Sequence, residues 1–572
     1  MELEQSISDN VVVHVHLKTY LAVVAVGFCY FSQILALAGS GFLAPYMQML
    51  FGSSNETVWL SQALAICTVA MSPPISQIAD LWGRKWPVVL SMLCAFTGSI
   101  VSSRANSMGT VTAGFVLIGV SFGSQALLHA VVSEVLPRRQ RPIAQGILNI
   151  IGGLGGFLGI CIGAGLIRGG ALENFRIYLY VTAASFFVGA MGIVFCYNPP
   201  PRELQQTLST RKKIQSLDWA GYLLFGAGLT LFSIALSWSQ NPYPWSNSRI
   251  IAPFVIGVVL VIAFVIYEWR FKKDGFMNHA LFKERNFTLA LLLVFTEGLA
   301  FFAANSYFAL EVGIFTGQDL LIVGLHYGIT FLTIIVFSGI VSIFSTRYKA
   351  LRLPIFVGFV FILVFNIVLA AAQPLNIRAA FWGLGVILGV GIGVMLPLIM
   401  VVAQLSSPPE LISTASALIV AARCFGGTIG LAVNNALYNS TLNSELPKQV
   451  AEATVPLGLP TSSLPGLIVA LTTQNEELLA NVEGLTPTIL TAASSAVLKA
   501  FEMTFRNCWI AAACFCVPAA IGSIFVFDPR SQFNAHIDAP VEASIAEKQA
   551  LVEVNQVATQ EPKEADRFVE RP

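Results

Sequence analysis

Fourteen stretches of about twenty apolar residues run through this chain, and that pattern leaves lipid as the medium in which it folds. They lie at about 19–42, 58–79, 86–103, 110–133, 143–167 and 175–197, then at about 217–238, 250–270, 287–310, 319–344, 353–373, 378–404, 411–438 and 506–527. A helix of that length crosses the ~30 Å hydrocarbon core and pairs its backbone N–H and C=O groups internally, as the bilayer demands. Only 11% of the 572 residues are charged and 55% are hydrophobic, whereas a water-soluble domain carries roughly 25% charged residues. The expected fold class is an all-α membrane protein with fourteen transmembrane helices. The apolar stretch 461–472 is too short to cross and is flanked by proline, so it is expected as an interfacial or loop segment.

Lys and Arg placement sets the orientation, because cytosolic connections collect them. The connections after even-numbered spans hold seventeen, from Arg84 and Lys85 to Arg347, Lys349 and Arg352. The short connections after odd-numbered spans hold five: Arg104, Arg168, Arg176, Arg249 and Arg378. The first face is assigned to the cytosol, and an even span count brings both termini there. The sequons at Asn55 and Asn439 fall on the opposite face, as candidate glycosylation sites.

The polar, acidic N-terminus does not resemble a signal peptide, so the first span is expected to be retained. A cytosolic N-terminus (1–18) precedes a first group of six spans (19–197). A cytosolic linker (198–216) leads to two further spans (217–270), and the last six spans occupy 271–527. The polar stretch 439–505 is expected as an external loop, and 528–572 as a flexible cytosolic tail.

Several function classes are excluded. Lys+Arg (32) and Asp+Glu (31) nearly cancel, so no basic surface points to nucleic acid. The nine cysteines form no CxxC or Cys/His cluster, so neither a metal, another cofactor nor a disulfide framework is implied. No GxxxxGK[ST] loop is present for ATP, and no nucleophile–base cluster marks an enzyme.

An internal repeat sharpens the architecture. Pro137, Ala144, Gly146, Gly155, Gly156 and Gly159 recur as Pro408, Ala415, Ala417, Gly426, Gly427 and Gly430, all displaced by 271 residues. Both sets start in a cytosolic connection and run into the next span, the fifth and the thirteenth. Spans 1–6 and 9–14 are therefore equivalent six-helix halves with spans 7 and 8 inserted. Halves related in this way place a substrate pathway between them near the membrane midplane, reached by alternating access.

Ser76-Gln-Ile-Ala-Asp80-Leu-Trp-Gly83-Arg84-Lys85 resembles the loop signature of the major facilitator superfamily, with Ser76 and Leu81 departing from it. Ser133-Glu134-Val-Leu-Pro137-Arg-Arg-Gln-Arg141 resembles the next cytosolic loop of that family. The resemblance implies a conformational latch made of Asp80, Gly83, Arg84, Lys85, Glu134, Arg138 and Arg141. Gly155 to Gly165 resembles the family's antiporter motif, with Ile160 in place of its proline. Fourteen spans resemble the drug:proton antiporter branch. Tyr197-Asn-Pro-Pro-Pro-Arg202, Leu217-Asp-Trp-Ala-Gly221, Leu236 to Trp245 and Tyr267-Glu-Trp269 resemble the fungal trichothecene efflux pumps. The fourth-helix Arg of that branch, implicated in proton coupling, is replaced here by Phe115.

Charges at membrane depth are costly unless paired or solvated, and Glu297 in span nine and Arg423 in span thirteen are the deepest. They are read either as a structural pair or as a proton or substrate pathway, with Glu297 standing in for the missing arginine. His129 and Gln125, one turn apart on span four, and Gln33 on span one join that pathway. His326 is read as a packing residue, and Asn149, Asn305, Tyr307 and Asn434 are candidates for a polar cavity.

The resemblance implies a secondary transporter of the plasma membrane, or of a vacuolar or vesicle membrane, acting as a monomer, that exports a hydrophobic fungal secondary metabolite or toxin in exchange for protons. A siderophore-iron transporter and a non-transporting sensor are the alternatives.

Overall fold

The computed structural model describes residues 17–51, 58–200, 209–239, 243–272, 275, 277–371, 380–473 and 476–539. Among them fourteen helices are long and apolar enough to cross a bilayer. They are α1 (Leu17–Phe51), α2 (Val58–Trp82), α3 (Lys85–Ser103), α4 (Met108–Gly123, continued by Gln125–Glu134), α5 (Arg141–Ile167), α6 (Phe175–Cys196), α7 (Trp219–Trp238), α8 (Ser248–Arg270), α9 (Arg285–Thr316), α10 (Leu320–Tyr348), α11 (Arg352–Ala371), α12 (Phe381–Leu405), α13 (Ile412–Thr454) and α14 (Pro487–Ser523). Local chemistry punctuates them. Asp218 and Asp319 cap the starts of α7 and α10 by accepting the Gly221 and Leu321 N–H groups. Gly83 (φ 99°) and Gly317 (φ 60°) take left-handed backbone where α2 and α9 end.

The two six-helix halves meet along two seams. α5 packs along α10, and α13 packs along α2. The repeat maps the first seam onto the second, since α5 corresponds to α13 and α10 to α2. Glycines show the same correspondence at the level of contacts. Gly155 and Gly159 of α5 press on the backbone of α1 at Phe31 and Leu35, and Gly426 and Gly430 of α13 press on α9 at Phe295 and Leu299. A side chain at any of the four positions would collide with a carbonyl group, so only glycine allows the approach.

The inserted helices lie outside this core. α8 has the highest mean hydropathy of the fourteen (3.0) and is 17% buried, against 83% for α4 and α12, so it faces lipid. α7 packs on α8 and leans on both α2 and α13. It is held there by the Phe232–Phe425 ring contact (6.3 Å), an Asn435 side-chain hydrogen bond to the Ser237 carbonyl (3.4 Å) and a Tyr222–Gln77 hydrogen bond.

Two expectations are corrected. The stretch 439–505 is not an irregular loop. α13 is 43 residues long, ~65 Å at 1.5 Å per residue, and its far end stands well clear of the hydrocarbon. There it packs with the helix Leu464–Thr473 and the start of α14 around Leu446, Val450, Leu467, Ile489 and Ala493. An apolar face at helical spacing within a polar stretch is what builds this small second core. The start of the tail is not loose either. Residues 528–539 lie across the Lys/Arg-rich end of the bundle with Phe533 and Ile537 buried. Residues 1–16 and 540–572 lie outside the described residues.

Candidate functional site

At the Lys/Arg-rich end, assigned to the cytosol by the charge bias, the expected latch resolves into two clusters. In the first, the turn at Gly83 points Arg84 inward. Its guanidinium donates to Glu134 (2.8 Å) and to Asp80 (3.4 Å), and it contacts the Ser413 hydroxyl at the start of α13. Arg84 is 4% exposed and Glu134 1%, so this contact ties the first half to the second from a buried position. Lys85 instead closes the end of α6, donating to the Val194 carbonyl (2.7 Å) and the Asn198 side chain (2.5 Å).

Arg138 and Arg141 do not join that cluster. Both bind Asp538 of the tail segment, at 2.6 Å and 2.5 Å. Burial alone would raise the Asp538 carboxyl, but the Arg138 hydrogen bonds and the charges of Arg141 and Arg138 outweigh it and hold the group below its usual range. Backbone bonds complete the docking: Arg138 N–H to His536 O, Arg139 N–H to Asn534 O, and Ala539 N–H to Glu134 O. At its other end the segment is pinned to the second half, where Asp528 accepts the Leu351 and Arg352 N–H groups. The tail is thus a strap across both halves.

Deep in the bundle, Arg423 and Glu297 form a bidentate pair, Nε to Oε2 at 2.5 Å and Nη2 to Oε1 at 2.9 Å. Glu297 has no exposed surface, and the guanidinium lies 4.7 Å from the Phe301 ring centroid. Backbone contact between α9 and α13 at Gly298 and Gly426 sets the height of the two charges. Arg423 also lines two central cavities. One, of about 20 Å³, is shared with Tyr30, Gln125 and His129; the other, of about 30 Å³, with Tyr30, Asn149 and Phe331. Cavities of that size admit a water molecule but fall far below the ~300 Å³ of a small-molecule site. Neither of these two cavities has room for more than water in this conformation.

The remaining expected residues divide by role. His129 Nδ1 bonds Gln145 Oε1 at 2.6 Å, and the Tyr30 ring packs edge-on against His129. Gln33 donates to the Ser121 carbonyl (2.7 Å) and joins α1 to α4. Phe115, where the branch has arginine, is 1% exposed among apolar neighbours. His326 stacks on Trp382 at 3.8 Å, as a packing residue does. Asn305 accepts from Tyr327, Asn434 bonds its own helix, and the Tyr307 ring packs at a tilt against Tyr438. Asn439 lies within α13, where its amide donates to the carbonyl and side chain of Asn435. Asn55 lies outside the described residues.

Several site residues escaped the sequence reading. Gln145 of α5 and Gln404 of α12 face each other across the halves at 3.4 Å, and Arg141 donates to the Gln404 carbonyl at 2.8 Å. Ser413, Asp538 and Glu311 were also missed. A polar side chain inside an apolar span was the signal for Gln145, Gln404 and Glu311; Asp538 carried none. At the outer end, Arg168 and Asp319 join the halves at 2.8 Å with side chains 60% and 33% exposed. Contacts across the halves therefore exist at both ends of the bundle.

Comparison with known proteins agrees with this arrangement. The family model described as Major Facilitator Superfamily matches residues 26–431. The "MFS-type transporter ucsD" of an Acremonium species is 25% identical over 72% of this chain and 72% of its own length. The "MFS-type transporter sphD" of Aspergillus fumigatus is 26% identical over 71% and 70%, and the "Efflux pump FUS6" of Gibberella moniliformis 23% over 77% of each. A bacterial homologue of the human lysosomal transporter Spinster, solved inward-facing and occupied, shares the fold with a TM-score of 0.54 at 14% identity, covering 89% of this chain and 98% of that one.

Proposed function

Because the chain belongs to the major facilitator superfamily and is a multi-pass membrane transporter of small molecules, we propose that it exports a hydrophobic secondary metabolite in exchange for protons. The observation that carries this reading is the Arg423–Glu297 pair, set in a seam that both halves line, mostly with apolar and aromatic side chains and with Gln125, His129 and Asn149 as its polar groups. An apolar lining recognises a hydrophobic ligand, and one buried ion pair is a switch whose two charges separate only at high cost. Substrate contact or protonation of Glu297 frees Arg423 toward Tyr30, Gln125 and His129 of the first half. Gln33 holds the helices that frame that cavity. Export is supported by the relatives named as efflux pumps. The latch of Asp80, Gly83, Arg84, Lys85 and Glu134, with Arg138 and Arg141 on the strap, keeps the cytosolic side shut until substrate arrives. The protein works as a monomer in the plasma membrane.

Deleting the gene and measuring hydrophobic metabolites in cells and medium, with and without a protonophore, tests this. Intracellular accumulation in the deletion, reproduced by the protonophore in the parent, is expected. Lost uptake of ferric siderophore would replace export by import, and unchanged flux would leave a sensor.

A further inference from the structure

We infer that Glu311 is a proton-binding site of this transporter, distinct from the Glu297–Arg423 pair and nearer the outer face. The inference rests on the proton-driven reading above.

Glu297 and Glu311 stand on the same helix, α9, ~21 Å apart along its axis at 1.5 Å per residue, and neither has exposed surface. Their surroundings differ in kind. Glu297 is held by both arms of the Arg423 guanidinium, so its two oxygens are committed to a cation. Glu311 pairs with no Arg, Lys or His among the described residues. Its Oε2 accepts the Trp509 indole N–H at 2.8 Å, and its Oε1 has no hydrogen-bond partner. An ionised carboxyl accepts at both oxygens, whereas the acid keeps one acceptor and gains one O–H donor. This arrangement admits both forms: the indole N–H serves the Oε2 acceptor in either, and Oε1 is free to take the proton.

The neighbouring titratable groups bring no competing cation. α14 presents the Cys508 thiol beside Trp509. α9 itself presents Tyr307, whose hydroxyl also lacks a partner, and Tyr438 of α13 packs at a tilt against that ring at 5.6 Å. α11 contributes Phe365 against Trp509. Glu311 lies five residues before the outer end of α9 at Thr316, so a proton arriving from outside meets it before the central pair. The step is a simple one: a hydronium ion from the outer side gives up a proton to Oε1, one of its O–H bonds breaks to leave water, one carboxyl O–H bond forms, and one buried negative charge is neutralised.

The test is difference infrared spectroscopy on the purified full chain in lipid, titrated from acid to alkaline pH. A carbonyl stretch from a buried protonated carboxyl is expected in the parent and in Glu297→Gln, and its loss in Glu311→Gln. In Trp509→Phe the same band moves to higher frequency, because the carbonyl has lost its indole donor. A band unchanged in Glu311→Gln overturns the inference. Should Glu311→Gln fail to fold, no movement of any carboxyl band in Trp509→Phe overturns it equally. The measurement needs no substrate. A Glu311 band alongside transport indifferent to protonophore supports the site and overturns the proton-driven reading alone.

Discussion

Arg141, at the start of α5, and Asp538, in the segment beyond α14, meet at 2.5 Å with side chains 2% and 3% exposed. They are 397 residues apart in sequence, and the contact fastens the strap across the Lys/Arg-rich end of the bundle. Removing one partner of such a buried pair costs about 3–5 kcal/mol because the other charge is left uncompensated. Asp538→Asn is therefore expected to release the strap. Tryptic cleavage after Arg530 in the purified protein should accelerate by at least ~100-fold, a factor of ten for each 1.36 kcal/mol. Cleavage at the parental rate would rule out the ion pair as the fastening.

Acid should release the same strap without mutation. The folded Asp538 carboxyl is held below its unfolded value, so its stabilisation is fully present above that unfolded value, about pH 4, and is lost as pH falls through the lower folded value. Docking should weaken below about pH 4. The Arg530 cleavage rate, measured with an acid-tolerant protease of the same exposure requirement, reads this directly.

The Glu297–Arg423 pair should be strongly non-additive. Glu297→Gln and Arg423→Gln each strand a buried charge and should each lower stability by about 3–5 kcal/mol, while the double variant should recover most of that loss. Thermal unfolding of the four proteins in detergent gives the coupling. Transport should be absent from all three variants, including the stable double one, if the pair is the switch of the cycle.

Glycine contacts predict a graded series. Gly155→Ala and Gly426→Ala place a methyl group against the Phe31 and Phe295 carbonyl groups, whereas Gly165→Ala meets nothing within 4 Å. The first two should each cost about 1–3 kcal/mol by overpacking, and the third should be neutral or slightly stabilising. Unfolding temperatures of the three purified variants decide it. Equal behaviour of all three would mean that the backbone contacts of the repeat carry no structural role.

Hydrophobicity is a local property, so the fourteen spans could be read from composition along the chain, and the repeat of small residues exposed the two halves. Arg423 and Glu297 were conspicuous for the same reason, as charges where lipid tolerates none. What escaped was whatever depended on a distant partner. Arg138 and Arg141 were legible as basic residues of a latch, but Asp538 sits in a polar tail where a carboxylate attracts no notice. The continuation of α13 past Tyr438 was also hidden, because its apolar residues leave the all-round pattern of a span for the one-sided pattern of a packed surface helix.

The position of α7 makes the two seams unequal toward lipid. The two seams are equivalent by the repeat, yet α7 backs only the one between α2 and α13. Along the other, α10 turns Leu332, Val336, Ile340 and Ile343 outward at 40–67% exposure. Lipid meets α7 at the α2–α13 seam and the bare side chains of α10 at the α5–α10 seam. The insertion thereby gives a two-fold symmetric machine a front and a back within the plane of the membrane.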